Sequence, residues 1–213
     1  EQGFIIGPMN DYNHPTIAAI ATPPGEGGVA IIRISGGEAL AVANQLISRD
    51  IFQIPTHTVA FAQILDSDQT PIDEGLILIM KGPRSFTGED VVEIHCHGGK
   101  LISQKVLART LACGAQAAGP GAFSERAYLN GKIDLAQAEA IQQLIHAKNE
   151  AACDLAKKQL KGNLSLKIDD FQKRITDIAA IIEAWVDYPE EGLEFASQEE
   201  IEGKLQGIGQ EMA

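Results

Sequence analysis

Apolar positions along the first half of this chain recur mostly in short β-branched runs, and along the second half at helical spacing, so strands are expected first and long helices after. Residues 16–21 and 28–34 read as two strands, parted by Pro23-Pro24-Gly25-Glu26-Gly27, a cluster that no helix crosses. In 38–47 the recurrence of Leu40, Ala43, Leu46 and Ile47 predicts a helix. Residues 58–65 and 74–80 are strand-like again, and the polar turn from Asp66 to Pro71 joins them as a hairpin. The run 90–97 alternates strictly: Val92, Ile94 and Cys96 fall on one face, Glu93, His95 and His97 on the other. Gly98-Gly99 breaks that strand. Leu101, Val106, Leu107 and Leu111 then mark a helix stopped by Gly114, and 115–118 reads as a further short element.

Beyond residue 130 the texture changes. Asp134 and Gln137 have the spacing of a capping box, and no Gly or Pro follows until Gly162, which predicts one helix of about 27 residues with Leu135, Ala138, Ile141, Ile145, Leu155 and Leu160 on its apolar side. Residues 164–186 read as a second helix, striped by Ile168, Phe171, Ile175, Ile178, Ile182 and Trp185 and stopped by Tyr188-Pro189. After an acidic linker a weaker helix is expected from 198 to 212. Two long amphipathic helices suit a bundle but cannot bury both stripes alone, so further helices are expected from sequence outside this chain or from a partner chain. The expected fold class is α+β. Residues 1–15 read as a leader in which Met9 resembles a natural start, 16–130 as a mixed-sheet domain, and 131–213 as the first part of a helical domain.

Charge narrows the partners. The 213 residues carry 17 Lys and Arg against 29 Asp and Glu, a net of 17 − 29 = −12. Residues 1–130 hold 8 basic and 13 acidic side chains (−5), 131–186 hold 8 of each, and 187–213 hold 1 and 8 (−7). No segment has the basic balance of a phosphate-binding surface, so this stretch is not expected to be the main dock for a nucleic acid. A composition that is 45% hydrophobic supports a core. The longest apolar runs fall far short of the about 20 residues that span a bilayer. Cys96, Cys113 and Cys153 show no CxxC spacing, so neither a disulfide framework nor a zinc knuckle is indicated, and a cytoplasmic location is expected.

Several residues invite chemistry. Glu93, His95 and His97 are metal-donor types on one side of a strand, but His14, His57 and His146 offer no spacing for a fourth ligand, and a polar face lining a cleft or solvent is the stronger reading. Arg33 lies inside an apolar strand, where a guanidinium either pairs internally or binds a ligand. Lys132 precedes a helix start, where the dipole gives a cation nothing, and taken singly it reads as solvated. Glu125 is placed to cap or extend a short helix, with Arg126 pairing across it. Gly25-Glu26-Gly27-Gly28 opens into a strand and reads as a tight turn. No Gly-x-x-x-x-Gly-Lys-Ser/Thr occurs in the chain.

Taken together, IAAIATPPG (17–25), VAIIRISG (29–36), SFTGEDVVEIHCHGG (85–99), Pro120-Gly121 with FSERAYLNGKIDLAQAEA (123–140), and 183–195 resemble, in order, the MnmE (TrmE) family of tRNA-modification GTPases. The resemblance implies an N-terminal α+β domain related to the folate-binding domain of aminomethyltransferases, a helical domain, and a Ras-like GTPase inserted in the latter. On that pattern the GTPase, with its GTP, Mg and K, would begin where this chain stops. The missing P-loop, bundle helices and Cys-x-Gly-Lys motif would follow from that.

The resemblance also implies a site. Arg33, Glu93 and Lys132 match the family's positions for 5-formyltetrahydrofolate or a related tetrahydrofolate. A carboxylate suits the amine and ring N–H of a pterin edge, which puts Glu93 there and leaves Arg33 and Lys132 for carboxylate or ring-oxygen contacts. Homodimerisation through the N-terminal domain, an FAD-containing partner of the MnmG (GidA) type and tRNA as the complex's substrate are implied, with the product an aminomethyl-type group on C5 of the wobble uridine. No catalytic residue and no GTPase activity are expected within this chain. Two positions depart from the family pattern, Glu26 (usually Arg) and Ala122 (usually Glu), and they keep a pure assembly module with a decayed pocket as one alternative. A metal-dependent enzyme using Glu93, His95 and His97 is the other.

Overall fold

The computed structural model describes residues 14–187 and 197–212; the expected start at Met9, the Tyr188-Pro189 stop and the acidic linker lie outside the described residues. The chain divides into two compact units, Glu1–Ile133 and Asp134–Ala213. The fold is mixed α+β, as expected.

The first unit runs β1 (Ile17–Ile20), β2 (Val29–Ser35), α1 (Ala39–Asn44), β3 (Thr58–Leu65), β4 (Pro71–Met80), β5 (Val91–His97), α2 (Lys100–Ala112), β6 (Gln116–Ala117) and α3 (Ala122–Leu129). One six-stranded sheet has the order β3-β4-β5-β2-β1-β6, antiparallel except where β1 meets β6. The alternation read in β5 sets its packing: Val92, Ile94 and Cys96 are buried with Ile32, Ile34, Ile77 and Ile79 beneath α1 and α2. Each such aliphatic side chain contributes roughly 1.5–3 kcal/mol over its exposed state. The opposite face is left to Arg33, Glu93 and His95, and there the ring of Phe123 from α3 meets the Arg33 guanidinium.

Local differences from the sequence reading have local causes. Helix α1 stops at Asn44, three residues short of Ile47, because the Asn44 side chain accepts from the Ile51 amide at 2.9 Å and turns the chain. Leu46 and Ile47 stay buried by lying against β3, with the Leu65 amide donating to the Leu46 carbonyl at 2.8 Å and Ile47 bridging Ile64. Strand β4 begins at Pro71, so the hairpin turn is tighter than expected. In α2, Leu101 is exposed and Ile102, four residues before Val106, packs in its place.

Pairing of β4 with β5 ends at Leu76 and His95. Just beyond, a Cβ on Gly75 would overlap the His95 carbonyl oxygen, so only glycine fits. Asp73 then holds the strand end: its carboxylate accepts from the His97 amide at 2.8 Å and lies 2.7 Å from His97 Nδ1. Burial pushes this carboxyl up, but the hydrogen bonds from the His97 amide and ring outweigh it and hold Asp73 below the ordinary carboxylate range.

The second unit corrects the single long helix expected before Gly162. It is two helices, α4 (Leu135–His146) and α5 (Glu150–Leu160), followed by α6 (Asn163–Asp187) and α7 (Gln198–Met212). The break has a positive cause: Asn149 is extended at φ −147° and its side chain accepts from the Ala152 amide at 2.8 Å, capping α5. The capping box at Asp134 and Gln137 forms as expected. Gln137 Nε2 also reaches the Leu160 carbonyl at 2.9 Å, so α5 folds back along α4. Only part of the α6 stripe is covered. Phe171, Ile178, Ile181 and Trp185 pack with Ile201 and Ile208 of α7, while Ile168, Ile175 and Ile182 are exposed.

Two outcomes test these contacts. Asn149→Ala is expected to destabilise the helical unit by about 1 kcal/mol, read as a lowered melting transition, because it removes one N-cap. Asp73→Ala is expected to cost about 1–3 kcal/mol at pH 7 by denaturant titration. Because the folded-state pKa of Asp73 is depressed, that contribution is present above the unfolded value of about 3.9 and is lost as the pH falls through the folded one, so the gap between wild type and variant narrows in acid.

Candidate functional site

Arg33 and Glu93 are opposite partners in the β2–β5 register. Arg33 directs two nitrogens at one carboxylate oxygen: Nη2 stands 2.7 Å and Nε 2.8 Å from Glu93 Oε1. Among the described residues the other oxygen, Oε2, faces only His95 Nε2, at the long distance of 3.3 Å. The Glu93 side chain is 10% exposed and that of Arg33 is 30% exposed, so the pair lines the sheet face with its outer atoms accessible. Above it, the Phe123 ring centroid lies 5.5 Å from Arg33 Cζ, within cation–π reach. The guanidinium is thus paired internally, the first of the two alternatives posed for Arg33, and keeps an open side. This pair can bind a flat polar heterocycle, with an accepting carboxylate oxygen beside donating guanidinium nitrogens.

Lys132 stands apart from that pair. Its Nζ donates to the Pro83 carbonyl at 2.9 Å, and among the described residues it forms no ion pair. Pro83 lies in the segment 82–90 that leads into β5, the strand of Glu93.

The metal alternative finds no ligand set. Glu93 and His97 are four residues apart in an extended strand, about 13 Å along it. Glu93 Oε1 is engaged by Arg33 and His97 by Asp73, and among the described residues no group of three His, Cys, Asp or Glu side chains gathers to hold an ion.

Sequence reasoning missed Arg126 as a buried residue. It does not pair across its helix with Glu125 but is 7% exposed, with Nη1 2.7 Å from Glu89 Oε1 and Nη2 2.8 Å from the Pro15 carbonyl. The neighbouring Tyr128 and Leu129 are exposed, so the sequence around Arg126 carried no signal of its burial. Phe123 was missed as well, because an aromatic on a short helix carries no sign of which strand it will cover. Glu26 lines a separate groove of about 660 Å³ with Thr22, Lys100 and Gln104, where the β1–β2 turn meets α2. Ala122 is the first residue of α3 and brings no carboxylate there.

Against this geometry the similarity to known proteins is informative. Residues 16–132 match the family described as GTP-binding protein TrmE N-terminus, and residues 135–213 match the MnmE helical domain. The chain is 58% identical over 201 residues to a tRNA modification GTPase MnmE of Protochlamydia amoebophila, covering 94% of this chain and 44% of that protein. A protein of the same description from Enterococcus faecalis is 47% identical over 180 residues, 82% of this chain and 38% of its own. One from Geobacter metallireducens is 43% identical over 196 residues, 91% of this chain and 43% of its own. The chain therefore spans about two fifths of the length of these relatives. With both units matched, over a sheet whose open face presents Arg33 and Glu93 side by side, this chain belongs to the MnmE family of tRNA modification GTPases and comprises its N-terminal and helical domains.

Proposed function

We propose that the first unit binds a reduced folate of the 5-formyltetrahydrofolate type, as the one-carbon source for tRNA modification by the longer protein. The observation that carries this reading is the Arg33–Glu93 pair: a nearly buried carboxylate with Oε2 left to accept from a ligand, held by a guanidinium under an aromatic ring. Glu93 Oε2 would accept from the amine and ring N–H of the pterin edge, and Arg33 would donate to its ring oxygen or to a carboxylate. Lys132 is a second cation for the anionic parts of the ligand. The folate, when bound, supplies the carbon unit; this chain's own residues orient it.

The rest of the activity is assigned to the longer protein and its partners. In cooperation with an FAD-containing protein of the MnmG type, it would install an aminomethyl-type group on C5 of the wobble uridine of certain tRNAs. Membership of the family is what supports those partners, the tRNA substrate and a cytoplasmic location as parts of this proposal. Among the described residues no helix is long and apolar enough to cross a membrane. GTP hydrolysis is not expected of this chain, which carries no P-loop sequence.

A homodimer through the first unit is supported by its surface. On the ribs of the sheet that carry Glu93 and His95, Val59, Phe61 and Leu76 are 56%, 59% and 47% exposed, an apolar patch continuous with the pair. A second copy seated there would cover the patch beside the pair.

Calorimetric titration with 5-formyltetrahydrofolate tests the first reading. Saturable binding is expected, weakened by about 30-fold or more in Glu93→Ala and Arg33→Ala, because each leaves a charge of the pair unpartnered. Sedimentation tests the second: wild type is expected as a dimer at micromolar concentration, and Phe61→Glu with Leu76→Glu as a monomer.

A further inference from the structure

The segment 82–90 joins β4 to β5 without regular structure of its own, yet it is held from every side. Thr87 and Ser35 are fully buried, with their hydroxyl oxygens 2.7 Å apart. Ser35 Oγ donates to Glu89 Oε2 at 2.8 Å, and Arg126 Nη1 donates to Glu89 Oε1 at 2.7 Å, so both oxygens of this carboxylate are used. From α3, Asn130 Nδ2 donates to the Thr87 carbonyl at 2.7 Å. Two residues on is Lys132: its stem lies over Gly88, where a Cβ would be 3.2 Å from Lys132 Cγ and Cδ, and its Nζ reaches Pro83. Gly88 itself sits at φ +79°, a conformation that favours glycine.

A buried ion pair of this kind is a weak source of stability, since apolar residues of similar size often serve as well. What it does impose is a single geometry. We propose that the Arg126–Glu89 pair is a positioning device: it locks the end of α3 to the segment 82–90 and thereby fixes where the Lys132 ammonium stands beside the entry to β5. This rests on the folate reading, in which Lys132 contacts the ligand. Arg126, Glu89 and Gly88 are then positioning residues that act through Lys132 and touch no ligand themselves.

The test is a thermodynamic cycle on the affinity for 5-formyltetrahydrofolate, measured by calorimetry on the whole chain. Arg126→Met with Glu89→Leu removes both charges together and orphans neither, leaving Ser35 and Thr87 to pair with one another. Gly88→Ala is the second variant; it leaves the ion pair in place and pushes on the Lys132 stem, so the cycle stands if the charge-removed protein fails to fold. Each change is expected to weaken binding about tenfold in the wild-type background, and less than twofold when Lys132→Ala is already present, because the contact they serve is gone. Additive losses in the two backgrounds, or undiminished affinity in a folded variant, would overturn the positioning role while leaving folate binding intact. No binding by the wild-type chain would overturn the folate reading and this inference with it.

Discussion

A guanidinium set in the middle of an apolar strand obliges the sheet to bring it a carboxylate, and the register of β2 against β5 is where that demand is met. Arg33 and Glu93 are 60 residues apart in sequence and directly opposite in the sheet. A register shifted two residues toward Val91 would set Arg33 opposite Val91 and Glu93 opposite Ile31, leaving both charges without a partner at the cost of desolvating them. The pair therefore stabilises the alignment on which both faces rest: the aliphatic face under α1 and α2, and the open face on which α3 places Phe123. Arg33 spends two donors on one oxygen and leaves the other, Oε2, out of the pair.

The strands of the first unit were legible because each must bury one face, and a buried face writes a two-residue period into the sequence. Residues 91–97 are the clearest case. The partner of Arg33 was not legible in that way, since register depends on the whole sheet, and the grouping of Arg33, Glu93 and Lys132 came from resemblance to a family. The structure brings the first two into contact and keeps the third at the neighbouring loop. Arg126 was read as pairing across its short helix because local partners are all a sequence displays, whereas burial favoured Glu89, 37 residues away. The break between α4 and α5 was missed for a related reason. A stretch without Gly or Pro permits a helix but does not compel one, and the Asn149 side chain competes for the backbone amides there.

The helical unit shows what its own sequence can close. Residues seven apart on α6, Phe171, Ile178 and Trp185, meet α7, while a parallel series seven apart, Ile168, Ile175 and Ile182, remains exposed. Spaced alternately three and four residues apart, the two series are the halves of one stripe, which is wider than α7 covers. This matches a chain that spans about two fifths of its relatives' length.

The alternation in β5 also bears on how the sequence can diverge. Substitutions on the open face outside the Arg33–Glu93 pair alter what the surface offers and leave the register in place. Gaining or losing a single residue between Val91 and Glu93 would instead turn the carboxylate into the aliphatic layer and an isoleucine out toward Arg33. Along this strand, length is a stricter inheritance than composition.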